Sequence, residues 1–304
     1  MNIKAWIEAM RLRTLPVSVA GVITAIGYSI FYGCFMWMPS VICLAFAVLA
    51  QITSNFANEY YDYKDGMDKP GRVGPRRGVT EGDITPSAMK RAVYLTLVIT
   101  CLLGLSLVYW GGWWLIIVGL LIAAGIVAYS TGPYPLSRHC LGELAVMLFF
   151  GIIPVNFTFY IQSGFFSIPV LMGSISIGLM GANVLLVNNY RDADEDAEVN
   201  KITIAVKFGR KFAASAYLIN GFWAVAIMSR IWISFSLWWL TVPVLYLCAH
   251  TLAWVRMEKT YGAALNPLLG ITSMLMLFYS IGFIIMAFTT EYQVLFIPHD
   301  YAIK

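Results

Sequence analysis

Charge is scarce in this 304-residue chain. Only 12% of its residues are Asp, Glu, Lys or Arg, against roughly a quarter in an ordinary soluble domain. Hydrophobic residues make up 60% of the chain, and the mean hydropathy is +0.74. A soluble protein of this size needs more charge to cover its surface, and a disordered chain has far fewer apolar residues. The composition excludes both classes and indicates a polytopic membrane protein.

Histidine and cysteine are also scarce. The three histidines are scattered, so they form no metal-binding or catalytic constellation. The five cysteines include no CxxC pair and mostly lie within or beside apolar runs, which predicts buried free thiols. The net charge of +4 is too small to indicate a nucleic-acid partner. These absences leave the carboxylates and the basic side chains as the candidates for chemistry.

Nine apolar runs are long enough to cross a bilayer, which takes about 20 residues in a helix. The runs are Leu15 to Phe35, Met38 to Tyr61, Ala88 to Tyr109, Trp113 to Thr131, Leu141 to Gln162, Ile168 to Tyr190, Phe212 to Trp232, Phe235 to Val255 and Leu268 to Thr289. Most connections between them are short and imply antiparallel neighbours. The predicted fold is an all-α membrane bundle of about nine transmembrane helices. The amphipathic stretch Met1 to Pro16 is predicted to be an interfacial helix that leads into it.

The basic residues lie almost entirely on one side of this predicted bundle. Only Arg230 and Lys304 fall on the opposite side. Because cytoplasmic loops carry the excess of Lys and Arg, the pattern places the N-terminus and all the basic loops in the cytoplasm. The protein is therefore predicted to be a multi-pass protein of the cytoplasmic (inner) membrane. With nine spans, the C-terminus is predicted to lie outside.

The acidic residues cluster in two loops at matching places. Six lie between Glu59 and Asp83 and five between Asp192 and Glu198, each group at the cytoplasmic end of an even-numbered span. This weak internal repeat predicts a single domain over residues 1–304. We expect two similar four-helix halves, about residues 1–135 and 136–255, followed by a ninth helix.

Polar residues in the first acidic cluster follow a helical stripe. Gln51, Asn55, Asn58, Asp62 and Asp65 are spaced by 4, 3, 4 and 3, which places them on one helix face. We expect this stripe to face the bundle interior, although Gln51 and Asn55 could equally serve as hydrogen bonds between helices. Gly66 and Pro70 break the helix, which places Asp68 in the loop.

Asn188, Asp192 and Asp196 form a second stripe, spaced by four. Converging carboxylates repel one another and need a cation, and Mg²⁺ typically combines one or two carboxylates with substrate phosphates. The pattern therefore predicts Mg²⁺ and a diphosphate, which beside an apolar cavity indicates a lipid diphosphate. The cations that could bind the phosphate oxygens are Arg72, Arg76, Arg77, Arg191 and Lys201. The remaining acids are expected to be solvated surface, namely Asp65, Glu81, Asp83, Asp194 and Glu198.

A third candidate segment runs from Tyr129 to Glu143. Pro133 and Pro135 force a non-helical cytoplasmic loop. Tyr129, Arg138 and Glu143 are polar side chains of this segment that we expect to extend towards the same end of the bundle. The alternative is a sharp turn between two spans without a direct role.

The chain resembles the UbiA superfamily of intramembrane aromatic prenyltransferases over nearly its whole length. The resemblance is strongest in NEYYDYKDGMDKPGRVGPRRG and NNYRDADEDAEVNKITIAVKFG, with further matches in RLRTLP, GPYPL and LGE. The Asp-to-RVGPRR segment and the NNxRD form are most similar to the branch that prenylates 1,4-dihydroxy-2-naphthoate. Two positions depart from the superfamily pattern: Glu59 replaces an Asp, and Asn200 replaces a Gly.

The resemblance implies a helical bundle around a central cavity that is open laterally to lipid. It implies Mg²⁺-dependent transfer of a polyprenyl group to 1,4-dihydroxy-2-naphthoate with loss of CO₂, a step of menaquinone biosynthesis. The implied metal ligands are Asp62, Asp68, Asp192 and Asp196. Arg72 and Lys201 would stabilise the diphosphate, with Asn58, Asn188 and Arg191 also binding substrate. Tyr129 is a candidate, with Tyr60 and Tyr61, for stabilising an allylic cation. Arg138, Arg13 and Arg76 remain alternatives for holding the acceptor carboxylate.

The sequence is also compatible with two other functions. One is a related prenyltransferase with another acceptor, such as 4-hydroxybenzoate, homogentisate or a tetrapyrrole. The other is a cation transporter, which would carry ionisable groups deep within several spans. Because nearly all the acids lie at one face, the sequence disfavours the transporter.

Overall fold

The computed structural model of the chain describes residues 2–289. Within this range it contains no β-strand and one isolated bridge pair, His139 and Ile202. The predicted outward C-terminus and Lys304 lie outside the described residues. The helices are α1 (Ile3–Met10), α2 (Leu15–Phe31), α3 (Trp37–Lys64), α4 (Pro86–Gly111), α5 (Leu115–Ser130), α6 (Gly142–Ser163), α7 (Ile168–Glu198), α8 (Ile204–Phe208), α9 (Arg210–Phe235), α10 (Thr241–Lys259) and α11 (Asn266–Thr289).

The predicted all-α membrane fold is confirmed over the described range. Eight helical segments are long and apolar enough to cross a bilayer, and α5 is a shorter apolar helix. The predicted N-terminal helix is α1, which begins where the Asn2 side chain accepts a hydrogen bond from the N–H of Ala5. Its buried face carries Ala5 and Ala9.

Two spans are longer than the sequence predicted. The predicted ends were Tyr61 and Tyr190, whereas α3 continues to Lys64 and α7 to Glu198. The 31 residues of α7 extend about 46 Å at 1.5 Å per residue, beyond the roughly 30 Å of bilayer hydrocarbon. The C-terminal turns of both helices therefore carry the motif carboxylates past the apolar layer.

Packing differs between the two sides of the bundle. Helix α7 is largely buried, and a core of aromatic side chains fills the space between α2, α9 and α11. In that core the indole N–H of Trp232 donates a hydrogen bond to Tyr279 Oη over 2.6 Å. By contrast α4 is mostly exposed, and it carries Cys101 on its surface, as α10 carries Cys248. The cysteines are free as predicted, but of the five only Cys43 is buried. Cys34 and Cys140 are partly exposed, and Cys101 and Cys248 lie on helix faces that point out of the bundle.

Helix α6 is interrupted by a π-helical stretch, Met147–Ile152. Pro154 has no N–H to donate to the preceding turn, which is a common origin of such irregular turns. Within the stretch, Gly151 lies against α7 so closely that a Cβ would be 2.4 Å from Gly178 Cα. Glycine at this position therefore allows backbone contact between α6 and α7.

The Gly151→Ala substitution is expected to destabilise the bundle by about 1–3 kcal/mol, because the added methyl group meets backbone atoms that have no rotamer to relax into. Gly270→Ala is the matched control, since a Cβ there has no atom within 4 Å. The control should be neutral or slightly stabilising. Thermal unfolding of both variants in detergent measures the difference, and equal melting temperatures would contradict the close contact.

Candidate active site

A cavity of about 460 Å³ lies between helices α2 to α7. Its body is lined mainly by apolar side chains, among them Phe46, Leu107, Val118, Phe149 and Phe157. Its other end, the charged mouth, is lined by Asn58, Asp62, Asp68, Arg72, Asp196 and Lys201. The cavity thus combines an apolar chamber with one strongly polar end, as ligand sites commonly do.

The loops that carry the charges meet at this one end of the bundle. Arg138 Nη1 lies 2.8 Å from Asp65 Oδ2, and Lys69 Nζ lies 2.8 Å from Glu198 Oε2. The side-chain amide of Asn266, at the start of α11, donates to the carbonyl oxygen of Val73 over 3.3 Å. These contacts join the loops after α3, α5, α7 and α10, so the charged loops predicted to share a membrane face do so.

The α3 stripe faces the cavity from Gln51 to Asp62. Asn58 Nδ2 donates to Asp62 Oδ2 over 2.8 Å, and Asn58 Oδ1 accepts hydrogen bonds from Arg11 and Arg77. Asn55 Nδ2 donates to the carbonyl oxygen of Met10 and so joins α3 to α1. Asn58 therefore orients a motif carboxylate, whereas Asn55 contacts the cavity and also links helices.

Arg72 joins the two acidic clusters. Its Nη1 lies 2.7 Å from Asp68 Oδ1 and its Nη2 lies 3.1 Å from Asp192 Oδ2. All three side chains are nearly buried, at 12%, 6% and 1% exposure respectively. Burial raises the pKa of Asp68 to about 6, and the nearby Arg72 opposes this shift. Burial also disfavours the charged form of Arg72, but the carboxylates around it outweigh this effect and raise its pKa.

Asp192 lies behind the cavity wall rather than on it. Arg191 holds it through Nε to Oδ1 at 2.6 Å and Nη2 to Oδ2 at 2.8 Å. The same guanidinium donates to Asn188 Oδ1 and Asn266 Oδ1. Gly74 allows the preceding loop to come close, since a Cβ there would lie 2.8 Å from Arg191 Nη2. Of the second stripe, Asn188 and Asp196 line the cavity directly.

Lys201 and Asp196 form a pair at the charged mouth, with Nζ to Oδ1 at 3.0 Å. Asn200, which replaces a superfamily glycine, adopts a left-handed conformation with φ of 54°. The backbone N–H of Lys201 donates a hydrogen bond to the carbonyl oxygen of Asp196. Burial lowers the pKa of Lys201, but Asp196 and the other carboxylates more than offset it, so its pKa lies above the ordinary value. Lys201 is therefore a charged ammonium, 16% exposed, in the lining of the cavity.

The three candidates for holding an acceptor carboxylate lie outside the cavity lining. Arg138 is the nearest, because its Nη2 lies 3.4 Å from Asp62 Oδ1 and donates to the carbonyl oxygen of Ser130. Arg76 pairs with Asp83 and its side chain is half exposed. Arg13 is exposed beside a groove along α11. Arg76 and Arg13 are therefore not brought to the cavity, because each points away from it on its own backbone segment. Tyr129 does line the cavity, as predicted.

The donor set fits a hard divalent cation only in part. Asp196 Oδ2 is buried without a hydrogen-bond partner, and Asp68 Oδ2 is buried with only the ion-pair contact to Arg77 Nε at 3.2 Å. Carboxylate oxygens are the ligands that Mg²⁺ prefers. In residues 2–289 no three acidic, histidine or cysteine side chains are close enough to hold one ion together. The four candidate ligands instead pair with Arg138, Arg72, Arg77, Arg191 and Lys201. A divalent cation can bind these carboxylate oxygens once the arginine and lysine side chains release them and pair with other groups.

Sequence reasoning missed several residues at the site. Arg11 reaches Asn58 from the segment between α1 and α2, and only its RLRTLP context marked it. Asn189 was not singled out from the sequence; it lines the cavity and donates a hydrogen bond to Glu143, which the sequence did single out. Glu59, placed beside Asn58, does not line the cavity, since it accepts the N–H of Val79 over 3.0 Å and is 1% exposed. Glu59 therefore stabilises the loop after α3.

Comparison with known families gives one match that covers most of the chain. The model of the UbiA prenyltransferase family matches residues 18–281. A protein of Escherichia coli (strain K12) named 1,4-dihydroxy-2-naphthoate octaprenyltransferase is 34% identical over 275 residues, covering 88% of this chain and 89% of that protein. A protein of the same name from Mycobacterium tuberculosis is 36% identical over 73% of this chain and 75% of the relative. These values establish the family from sequence.

Solved structures agree on the fold. The apo structure of a UbiA homolog from Aeropyrum pernix K1 has a TM-score of 0.68 at 15% identity, covering 88% of this chain and 97% of that one. A UbiA homolog from Archaeoglobus fulgidus bound to GPP and Mg²⁺ has a TM-score of 0.66 at 12% identity, covering 92% and 99%. At such low identity the likeness shows the fold alone. The helical bundle around a cavity is thus of the UbiA type.

Proposed function

Because this chain belongs to the UbiA prenyltransferase family, we propose that it transfers a polyprenyl group from a polyprenyl diphosphate to 1,4-dihydroxy-2-naphthoate. The acceptor loses its carboxylate as CO₂, and the product is demethylmenaquinol for menaquinone biosynthesis. The relatives that support this acceptor come from E. coli, M. tuberculosis and Bacillus subtilis, at 34%, 36% and 28% identity. The enzyme is a multi-pass membrane protein, and we propose that the charged mouth faces the cytoplasm.

One observation carries the proposal: the cavity joins an apolar chamber to a mouth lined by largely buried cations. A prenyl diphosphate has the same two parts, an apolar chain and a charged head. Arg72 and Lys201 are positioned to neutralise the diphosphate as it leaves, since both line the mouth and both remain protonated. Such preorganised charge is typically the largest contribution to lowering a barrier of this kind.

We propose that Asp62, Asp68, Asp192 and Asp196 hold Mg²⁺, with Asp192 acting after Arg191 releases it. Bound there, Mg²⁺ would withdraw charge from the diphosphate. Asn58 orients Asp62 through its 2.8 Å hydrogen bond. Asn188 accepts a hydrogen bond from Arg191, the residue that holds Asp192. The apolar lining of the chamber disfavours the water that would quench an allylic cation, and Tyr129 in the cavity wall is an aromatic residue that could stabilise such a cation.

The main alternative keeps the reaction and changes the acceptor. The acceptors to test are 4-hydroxybenzoate, homogentisate and tetrapyrroles, because the family match by itself names no acceptor. Relatives named UbiA prenyltransferase domain-containing protein 1 also match, at 24% to 31% identity. We also propose that the chain is one domain of two similar four-helix halves, about residues 1–135 and 136–255, with α11 added. Matching acidic ends on α3 and α7 support this arrangement.

The proposed function predicts which acceptor reacts. Membranes containing the protein, Mg²⁺ and a long polyprenyl diphosphate are incubated separately with dihydroxynaphthoate, 4-hydroxybenzoate and homogentisate. We expect prenylated product and CO₂ from dihydroxynaphthoate alone, measured by mass spectrometry and by release of labelled carboxyl carbon. Prenylation of a different acceptor would reject the naphthoate assignment but keep the family chemistry. No product from any acceptor in membranes that contain folded protein would reject both.

A further inference from the structure

Glu143 differs from the aspartates that line the cavity. It lies at the start of α6, is 7% exposed and borders the cavity. Its Oε1 accepts a hydrogen bond from Asn189 Nδ2 over 2.7 Å. Asp62, Asp68 and Asp196 each pair with a basic side chain, whereas no such pair is formed by Glu143 within residues 2–289. The amide fixes the orientation of this carboxylate without neutralising it.

Glu143 comes from a different element of the fold than the proposed metal ligands. It lies on α6, whereas the motif acids belong to α3, α7 and the loop after α3. The hydroxyl of Tyr129 is close by, only 3.8 Å from where a Cβ on Gly142 would lie. Asn188 and Leu185 continue the same patch of cavity wall. An acceptor ring placed here would contact a carboxylate, an amide and a phenol, next to the apolar chamber.

We propose that Glu143 is the catalytic base that takes the proton from a hydroxyl of the aromatic acceptor, with Asn189 as the residue that positions it. This inference rests on the proposed function, since a hydroxylated aromatic acceptor is what supplies the proton. A buried carboxylate held by a neutral donor is suited to accepting a proton. Within residues 2–289 no basic side chain pairs with Glu143, and Lys201 acts on it only from beyond ion-pair distance. The motif acids are less suited, because each is engaged by a guanidinium or an ammonium group.

The proton transfer balances without another reactant. The ring carbon that bears the carboxylate bonds to C1 of the allylic group, and the broken C–O bond leaves its electron pair on the diphosphate. The adjacent ring hydroxyl gives its proton to Glu143 and becomes a carbonyl. The bond to the carboxylate then breaks, CO₂ leaves, and its electron pair restores the ring as an enolate. The enolate takes the proton back from Glu143, so the base is regenerated.

The test separates ionisation of the diphosphate from reaction at the acceptor. Glu143→Gln keeps the shape of the side chain and removes the base. We expect prenylation of dihydroxynaphthoate to fall by about 100-fold or more. Movement of ¹⁸O from the bridging to the non-bridging positions of farnesyl diphosphate reports ionisation, and it should stay within about threefold of wild type. Glu143→Asp should recover part of the lost prenylation because it restores a carboxylate.

The matched control is Glu258→Gln, an exposed glutamate near the end of α10 that does not line the cavity. It should leave both measurements unchanged. If Glu143→Gln prenylates within a few-fold of wild type, Glu143 is not the base. If the variant loses isotope exchange and prenylation equally, its role is structural and the inference also fails. Failure of wild-type protein to prenylate dihydroxynaphthoate would instead reject the proposed function, and the Glu143 comparison would then be repeated with the acceptor that reacts.

Discussion

Replacing Asp62 by Asn is expected to lower the rate of prenyl transfer by about a thousandfold while the bundle stays folded. Asp62 lines the charged mouth, accepts a hydrogen bond from Asn58 and lies 3.4 Å from Arg138. The amide keeps the shape of the side chain but loses the charge that a divalent cation requires. Arg138 keeps its partners Asp65 and Ser130, so the local structure should persist.

The assay is turnover of Asp62→Asn across a range of Mg²⁺ concentrations, beside its melting temperature in detergent. A metal role predicts that any residual activity needs more Mg²⁺ than the wild-type enzyme. Asp194→Asn is the control within the motif region, because Asp194 is exposed and pairs with Arg210 at the surface. Near-normal turnover of Asp62→Asn would remove this residue from the proposed metal site.

Replacing Arg72 is expected to have the second largest effect, because one guanidinium neutralises a carboxylate from each acidic cluster. Arg72→Lys retains a charge but has no planar fork to reach Asp68 and Asp192 together. We expect turnover to fall by about 100-fold, the scale found when one preorganised charged donor is lost. Breaking a buried pair outright by Arg72→Ala would in addition cost about 3–5 kcal/mol of stability.

Arg76→Lys makes the matched comparison, since it applies the same change four residues along the same loop. Arg76 is half exposed and contacts Asp83 rather than the cavity. Its substitution should leave turnover and stability close to wild type, as expected for a surface pair. Steady-state kinetics with farnesyl diphosphate distinguish the two arginines. Equal effects of the two substitutions would contradict a specific role for Arg72.

Much of the site could be predicted from the order of residues alone. The stripe that ends in Asn58 and Asp62 follows helical spacing, and the structure places it on the cavity. The loop position of Asp68 followed from the residues that break α3, among them Gly66 with φ of 69°. These features are local, since spacing along one helix fixes which residues share its face.

Other features of the site have no local signal. Asp192 shares a spacing of four with Asn188 and Asp196, yet it lies behind the wall, held by Arg191. The sequence gives Arg72 and Arg76 similar surroundings, but only Arg72 lines the cavity. The pairing of Glu143 with Asn189 joins residues 46 positions apart. Such outcomes depend on how helices rotate against one another.

By itself the sequence determined the membrane class, the helical spans and the face on which the charges gather. It did so because hydropathy and the excess of Lys and Arg act along the chain, segment by segment. Only the tertiary structure decided which cations meet which carboxylates, that Arg13 and Arg76 point away from the cavity, and that Glu143 keeps a neutral partner. The physical reason is that buried charges choose partners by distance in space, and that distance is set by the packing of helices far apart in sequence.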